Sequence, residues 1–193
     1  MLFSKDLIFD DGKHRVELMH LGVAHTHGDA LAWLPNEKIL FTGDVCVNGP
    51  YNFLGDGDAG QWIGTLDAAK KLGARIVCTG HGGRSDATVL DDQQAFFKAL
   101  REQVGAQLAN KSPEDAKGQV ESIRAALKSN PQIARYVSAR GANGNDDGFP
   151  SQVEKVYQEL TGKKFTALAR EKQLARHAHA RSHGFARIPQ PAE

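Results

Sequence analysis

The stretch Val23–Asp44, V-A-H-T-H-G-D-A-L-A-W-L-P-N-E-K-I-L-F-T-G-D, decides how the rest of the chain is read. It sets His25 in a glycine-containing turn, passes through the apolar segment Ala30–Leu34, and turns at Pro35–Lys38. A second apolar segment, Ile39–Phe41, then delivers Asp44. Short apolar runs bounded by turn residues are the signature of buried strands. A third polar cluster, Thr79-Gly80-His81-Gly82, closes another such run that begins at Arg75. His25, Asp44 and His81 each stand where a loop opens after a strand, so a sheet would gather them along one edge. Imidazole and carboxylate are the common donors of divalent-metal sites, and a carboxylate can bridge two ions through its two oxygens. Glycines at 28, 43, 80 and 82 allow tight turns and leave room for ions and substrate. Taken singly, each of the three is an ordinary polar residue in a turn. Taken in order, each near a glycine, they point to metal binding.

Outward from this stretch, the N-terminal side reads as strands. Leu7-Ile8-Phe9 runs into the Asp10–Lys13 turn, and Arg15–Leu21 then alternates polar and apolar. On the C-terminal side a glycine- and aspartate-rich loop, Asn48–Gly60, gives way to helical spacing from about Asp58, with Trp62, Leu66 and Ala69 on one face. Gly73 supplies a stop. The strand Arg75–Thr79 follows, then a helix predicted over Asp91–Ala109 with Phe97, Leu100, Val104 and Leu108 on one face. Ser112-Pro113-Glu114-Asp115 starts a further helix, carrying Val120, Ile123 and Leu127 and ending at Asn130-Pro131. Gly141–Gly148 reads as a loop, and Ser151–Leu160 as a last helix stopped at Gly162. The chain beyond Lys163 is basic and poor in large apolar residues. Alternating strands and helices imply a layered α/β arrangement.

Composition excludes several classes. The 193 residues carry a net charge of +1 with 24% charged residues, which gives no global signal for nucleic acid. No run of about 18 apolar residues suggests a membrane span. The start, M-L-F-S-K-D-L-I-F-D, does not read as a signal peptide, although one could lie in an upstream segment, and the compartment stays unassigned. Cys46 and Cys78 each sit in strand-like sequence and read as buried thiols.

The run A-H-T-H-G-D-A-L-A-W-L-P-N-E-K-I-L-F-T-G-D followed by T-G-H-G resembles the C-terminal half of the metallo-β-lactamase superfamily domain, over roughly Arg15–Leu108. The resemblance implies half of an αββα sandwich, a mixed sheet with helices on one face. To this the sequence adds a C-terminal helical extension. The expected division is 1–110 for the half-domain, 111–162 for the extension and 163–193 for a basic, flexible tail. The resemblance further implies that His25 is a ligand of a first metal, Asp44 the bridging ligand and His81 a ligand of the second. Asp29 matches a family position and reads as a residue that holds the turn. In the family the ions are usually zinc, sometimes iron or manganese. They hold a hydroxide that attacks an ester, thioester, lactam or similar bond in a small-molecule substrate.

The family's other motif, H-x-H-x-D-H, has no match before His25; His14 and His20 stand apart without it. The tail run His177-Ala-His179-Ala-Arg181-Ser-His183 has arginine in the aspartate place and reads as a solvated basic segment. Half a sandwich also leaves one apolar sheet face to be covered by the C-terminal helices, by a second copy in a homodimer, or by an upstream N-terminal half. The readings that follow are a hydrolase with part of its site elsewhere, or a non-catalytic half-domain that dimerises or binds one metal weakly. Nucleic-acid binding through Lys163, Lys164, Arg170, Lys172, Arg176, Arg181 and Arg187 is not expected, given the balanced overall charge.

Overall fold

The computed structural model describes residues 6–49, 52–137 and 147–165. Five strands form one sheet in the order β1-β2-β3-β4-β5: Asp6–Asp10, Arg15–Met19, Leu31–Leu34, Ile39–Gly43 and Ile76–Thr79. The first four pair antiparallel, β1 to β2 and β3 to β4 through short turns and β2 to β3 through the longer loop 20–30 that carries His25. β5 pairs parallel to β4, with register Leu40↔Val77 and Phe41↔Cys78. A parallel neighbour requires a crossover, supplied by helix α1 (Ala59–Lys70). The sheet is therefore mixed, as the resemblance implies.

Asp58 caps α1, its side chain accepting from Gln61 N, and Trp62, Leu66 and Ala69 are buried along the helix as their spacing predicts. Helix α2 (Thr88–Leu108) begins one turn before Asp91, because Asp86 Oδ1 accepts from Thr88 N at 2.9 Å and organises the turn earlier. The single helix predicted after Ser112 is two, α3 (Pro113–Lys117) and α4 (Val120–Lys128), separated at Gly118-Gln119. The Gly118 and Gln119 N–H groups close the end of α3 on the carbonyls of Glu114 and Ala116, and the chain then restarts. Helix α5 (Phe149–Thr161) ends at Gly162, whose φ of 73° is the left-handed stop expected there.

Alternation along the strands separates two faces. Met19, Leu31, Trp33, Leu40 and Val77 are buried in one continuous core with α1, α2, α4 and α5. Helix α2 runs through its middle, packing on α1, α4 and α5. The opposite face is apolar across the whole sheet. Register sets Leu7, Leu18, Ala32, Phe41 and Cys78 in one cross-strand row. Phe9 and Val16, and then Leu34, Ile39 and Ile76, continue beside it. Phe9 is 52% exposed and Phe41 44%. Among the described residues the C-terminal helices do not cover this face; α4 and α5 pack against α2 instead. No helix among the described residues is long and apolar enough to cross a membrane. The tail from residue 166, with His177, His179 and His183 and most of the basic run, lies outside the described residues.

Candidate metal centre

The first ligand turn is built by hydrogen bonds within six residues. The Asp29 carboxylate accepts from Thr26 N at 2.9 Å and from Thr26 Oγ1 at 2.8 Å, closing the turn that presents His25. His20 holds the same turn from outside: its Nδ1 meets the Asp29 carbonyl at 2.7 Å, and a carbonyl only accepts, so Nδ1 carries the proton. The same logic fixes His25. Its Nδ1 lies 2.9 Å from the Phe53 carbonyl, so Nδ1 carries a proton and Nε2 is turned toward Asp44. Phe53 and Trp62 meet the ring edge-on, each with centroids at 6.0 Å.

Asp44 leaves β4 through Gly43, and the chain beyond it is fixed at buried backbone groups. Trp62 Nε1 donates to the Val45 carbonyl at 2.8 Å. Gln93, wholly buried on α2, donates to the same carbonyl at 3.3 Å and accepts from Val47 N at 2.7 Å. Asn52 Nδ2 donates to the carbonyl of Asp44 itself at 2.8 Å. His81 is anchored through its backbone, its carbonyl accepting from Asn48 N at 2.9 Å and from Thr79 Oγ1 at 2.9 Å.

Two glycines are there because the chain passes too close for a side chain. A Cβ on Gly80 would stand 2.2 Å from Asp44 Oδ1 and 2.6 Å from the Gly43 carbonyl carbon. A Cβ on Gly57 would stand 1.9 Å from the Ala24 carbonyl oxygen. These contacts press the three ligand loops together.

The outcome places Asp44 between the two histidines. His81 Nε2 lies 3.3 Å from Asp44 Oδ1, and His25 Nε2 lies 3.7 Å from Asp44 Oδ2, so each carboxylate oxygen faces one ring. Two donors sharing one tetrahedral zinc, with bonds near 2.1 Å, stand about 3.4 Å apart. Both separations fit that edge, which suits a carboxylate shared between two ions. Among the described residues no three His, Cys, Asp or Glu side chains form a group that could hold a metal ion. Cys46 is no substitute donor, since burial pushes its thiol up to about 12.

The sequence singles out His25, Asp44 and His81 as candidates but gives no sign of the supporting roles of His20, Asn52 and Gln93. All three act on backbone groups, which leave no pattern in the sequence.

Residues 3–81 match the family model described as the metallo-β-lactamase superfamily. Over this segment the chain resembles that superfamily's domain. A curated relative, metallo-beta-lactamase type 2 of Pseudomonas aeruginosa, is 30% identical over 93 residues, covering 46% of this chain and 36% of that protein. Among solved structures, VMB-1 is 29% identical with a TM-score of 0.45, over 51% of this chain and 46% of its own. The DIM-1 metallo-beta-lactamase is 26% identical with a TM-score of 0.46, over 50% and 47%. The enzyme from Pontibacter korlensis is 24% identical with a TM-score of 0.44, over 50% and 47%. This chain thus spans about a third of the curated relative and about half of the solved ones. The superfamily segment ends at the third candidate ligand, and α2 to α5 lie beyond it.

Proposed function

We propose that this chain contributes one side of a dinuclear metal site in a superfamily hydrolase. His25 belongs to the first metal, His81 to the second, and Asp44 is shared between them. The observation that carries this reading is the placement of one Asp44 oxygen toward each imidazole. Zinc suits these donors best, and iron or manganese accept the same set. Ions of this kind lower the pKa of bound water and polarise the bond under attack. The chain's own part is to orient. Asp29 and His20 fix the His25 turn, the Phe53 carbonyl turns Nε2 of His25 toward the site, and Gly80 lets the His81 loop close over Asp44.

Two donors per ion are one fewer than a catalytic zinc needs alongside water. The remaining donors come from an H-x-H-x-D-H segment that docks on the apolar outer face, where covering the half-exposed Phe9 and Phe41 would contribute roughly 1 kcal/mol each. The substrate is a small molecule with an ester, thioester, lactam or related bond, and β-lactams come first because the relatives are named for them. The test is hydrolysis of a chromogenic cephalosporin and of thioester, lactone and phosphodiester panels. The full chain is assayed with zinc, alone and with a supplied H-x-H-x-D-H half. Turnover by the assembled pair, abolished by Asp44→Ala, is expected. Turnover indifferent to Asp44→Ala, or none on any panel, refutes the reading.

The outer face also favours a second reading, a non-catalytic half-domain that buries this surface against another copy. Sedimentation decides it: a dimer dissociated by Phe41→Lys supports it, and a monomer rejects it.

A further inference from the structure

We infer that Gln152 and Asn52 are positioning residues for His25 and Asp44, so that α5 sets the geometry of a metal centre it does not touch. The inference rests on the metal assignment proposed above. Gln152 Nε2 donates to the Asn52 carbonyl at 2.7 Å, in a fully buried contact. The side chain of Asn52 donates to the Asp44 carbonyl at 2.8 Å. The next carbonyl along, that of Phe53, takes the Nδ1 proton of His25 at 2.9 Å. Asn52 and Phe53, adjacent in the chain, thus reach both ligands on one side and are gripped by α5 on the other. The peptide bond between them is planar and stiff, so a shift at the Asn52 carbonyl carries to Phe53.

A second observation separates this role from ordinary packing. Gln152 Oε1 is buried and has no hydrogen-bond partner among the described residues. A buried amide with half its capacity unmet is costly, and an apolar side chain of the same length would avoid that cost. What the glutamine supplies is the single bond from Nε2. Glu159 strengthens the same grip about two turns further along α5, accepting from Ala59 N at 3.0 Å and from Arg101 Nη1 at 2.7 Å. The loop before α1 is therefore held by α5 at both ends.

The test uses the full chain as parent, Gln152→Met and Tyr157→Phe. The last removes a different α5 bond, from the Tyr157 hydroxyl to the Lys111 carbonyl at 2.9 Å, without touching the loop. Zinc affinity is measured by calorimetric titration, and the histidine-ring ¹H–¹⁵N signals are recorded on the metal-free protein. Gln152→Met is expected to melt close to the parent, to bind zinc about 10-fold more weakly, and to lose or broaden the His25 Nδ1–H signal. Tyr157→Phe keeps both parental values. An unchanged His25 signal in Gln152→Met overturns the inference. The signal is read without metal, so it decides the positioning role even if the parent proves not to bind zinc, an outcome that would sink the metal assignment instead. Asn52→Ala cuts the other arm, the side-chain bond to the Asp44 carbonyl, while leaving the Gln152 bond in place. It is expected to weaken zinc binding about 10-fold with the His25 signal kept, and zinc binding equal to the parent's overturns that arm should Gln152→Met fail to fold.

Discussion

Gln93→Met tests how the loop after Asp44 is held. Gln93 is wholly buried and serves two backbone groups, accepting from Val47 N at 2.7 Å and donating to the Val45 carbonyl at 3.3 Å. Methionine fills similar space with neither function. The two losses are unequal. Val47 N is left buried without its acceptor, a penalty of about 1–3 kcal/mol. The Val45 carbonyl keeps its bond from Trp62 Nε1 at 2.8 Å, so little is lost there. The single variant should therefore lose about 1–3 kcal/mol, which for a chain of this size lowers Tm by about 2–4 °C per kcal/mol. Trp62→Phe removes the other donor and, because Trp62 is fully buried, adds the cost of a void. In the double variant the carbonyl has no donor at all, which neither single variant brings about. The double-mutant cycle cancels the void and should leave about 1 kcal/mol of extra destabilisation beyond the sum. Urea unfolding of the four proteins measures it. Additivity within about 0.5 kcal/mol would show that Gln93 and Trp62 do not share this carbonyl, and the account of how Asp44 is fixed would fail.

Three further outcomes follow from the same geometry. Gly80→Ala puts a Cβ 2.2 Å from Asp44 Oδ1 and 2.6 Å from backbone carbon, so the loop must move; stability should fall by about 1–3 kcal/mol and zinc binding should be lost, as thermal melts and titration will show. Burial raises the Tyr136 phenol from 10.0 to about 12. An unfolded chain then releases that proton first, so the contribution is whole below pH 10 and is lost between pH 10 and 12, at about 1.4 kcal/mol per pH unit; Tyr136→Phe should flatten that part of a pH–stability curve. Phe41→Lys should reduce binding of an apolar fluorescent dye to the isolated chain with little change in Tm, because Phe41 is 44% exposed on the outer face; undiminished dye binding would place the exposed apolar surface elsewhere.

The sheet and the three ligand candidates were legible because their signals are local. Apolar runs, the Asp10–Lys13 and Pro35–Lys38 turns, and glycines beside polar residues mark where strands end and loops open. The mixed sheet and its uncovered face follow from β3 and β4, whose runs Leu31–Leu34 and Ile39–Phe41 are apolar on both faces, the pattern of strands meant for cover on both sides. The supports of the site were not legible. Asn52, Gln93, Gln152 and His20 bind main-chain carbonyl and amide groups, which every residue carries, so no spacing reveals the pairing. The α3–α4 break was hidden for a related reason: Val120, Ile123 and Leu127 keep a helical stripe, while the bonds closing α3 lie in the backbone at Gly118 and Gln119. Nor does the sequence reveal that each oxygen of Asp44 faces a different ring.

The central claim is that Asp44 serves two metal positions and each histidine serves one. Zinc titrated calorimetrically into the full chain and into His25→Ala, His81→Ala and Asp44→Ala tests it most directly. The account predicts that each histidine variant loses the binding at its own position and that Asp44→Ala loses both. Asp44→Ala binding zinc as the parent does, or losing no more than either histidine variant, would contradict it.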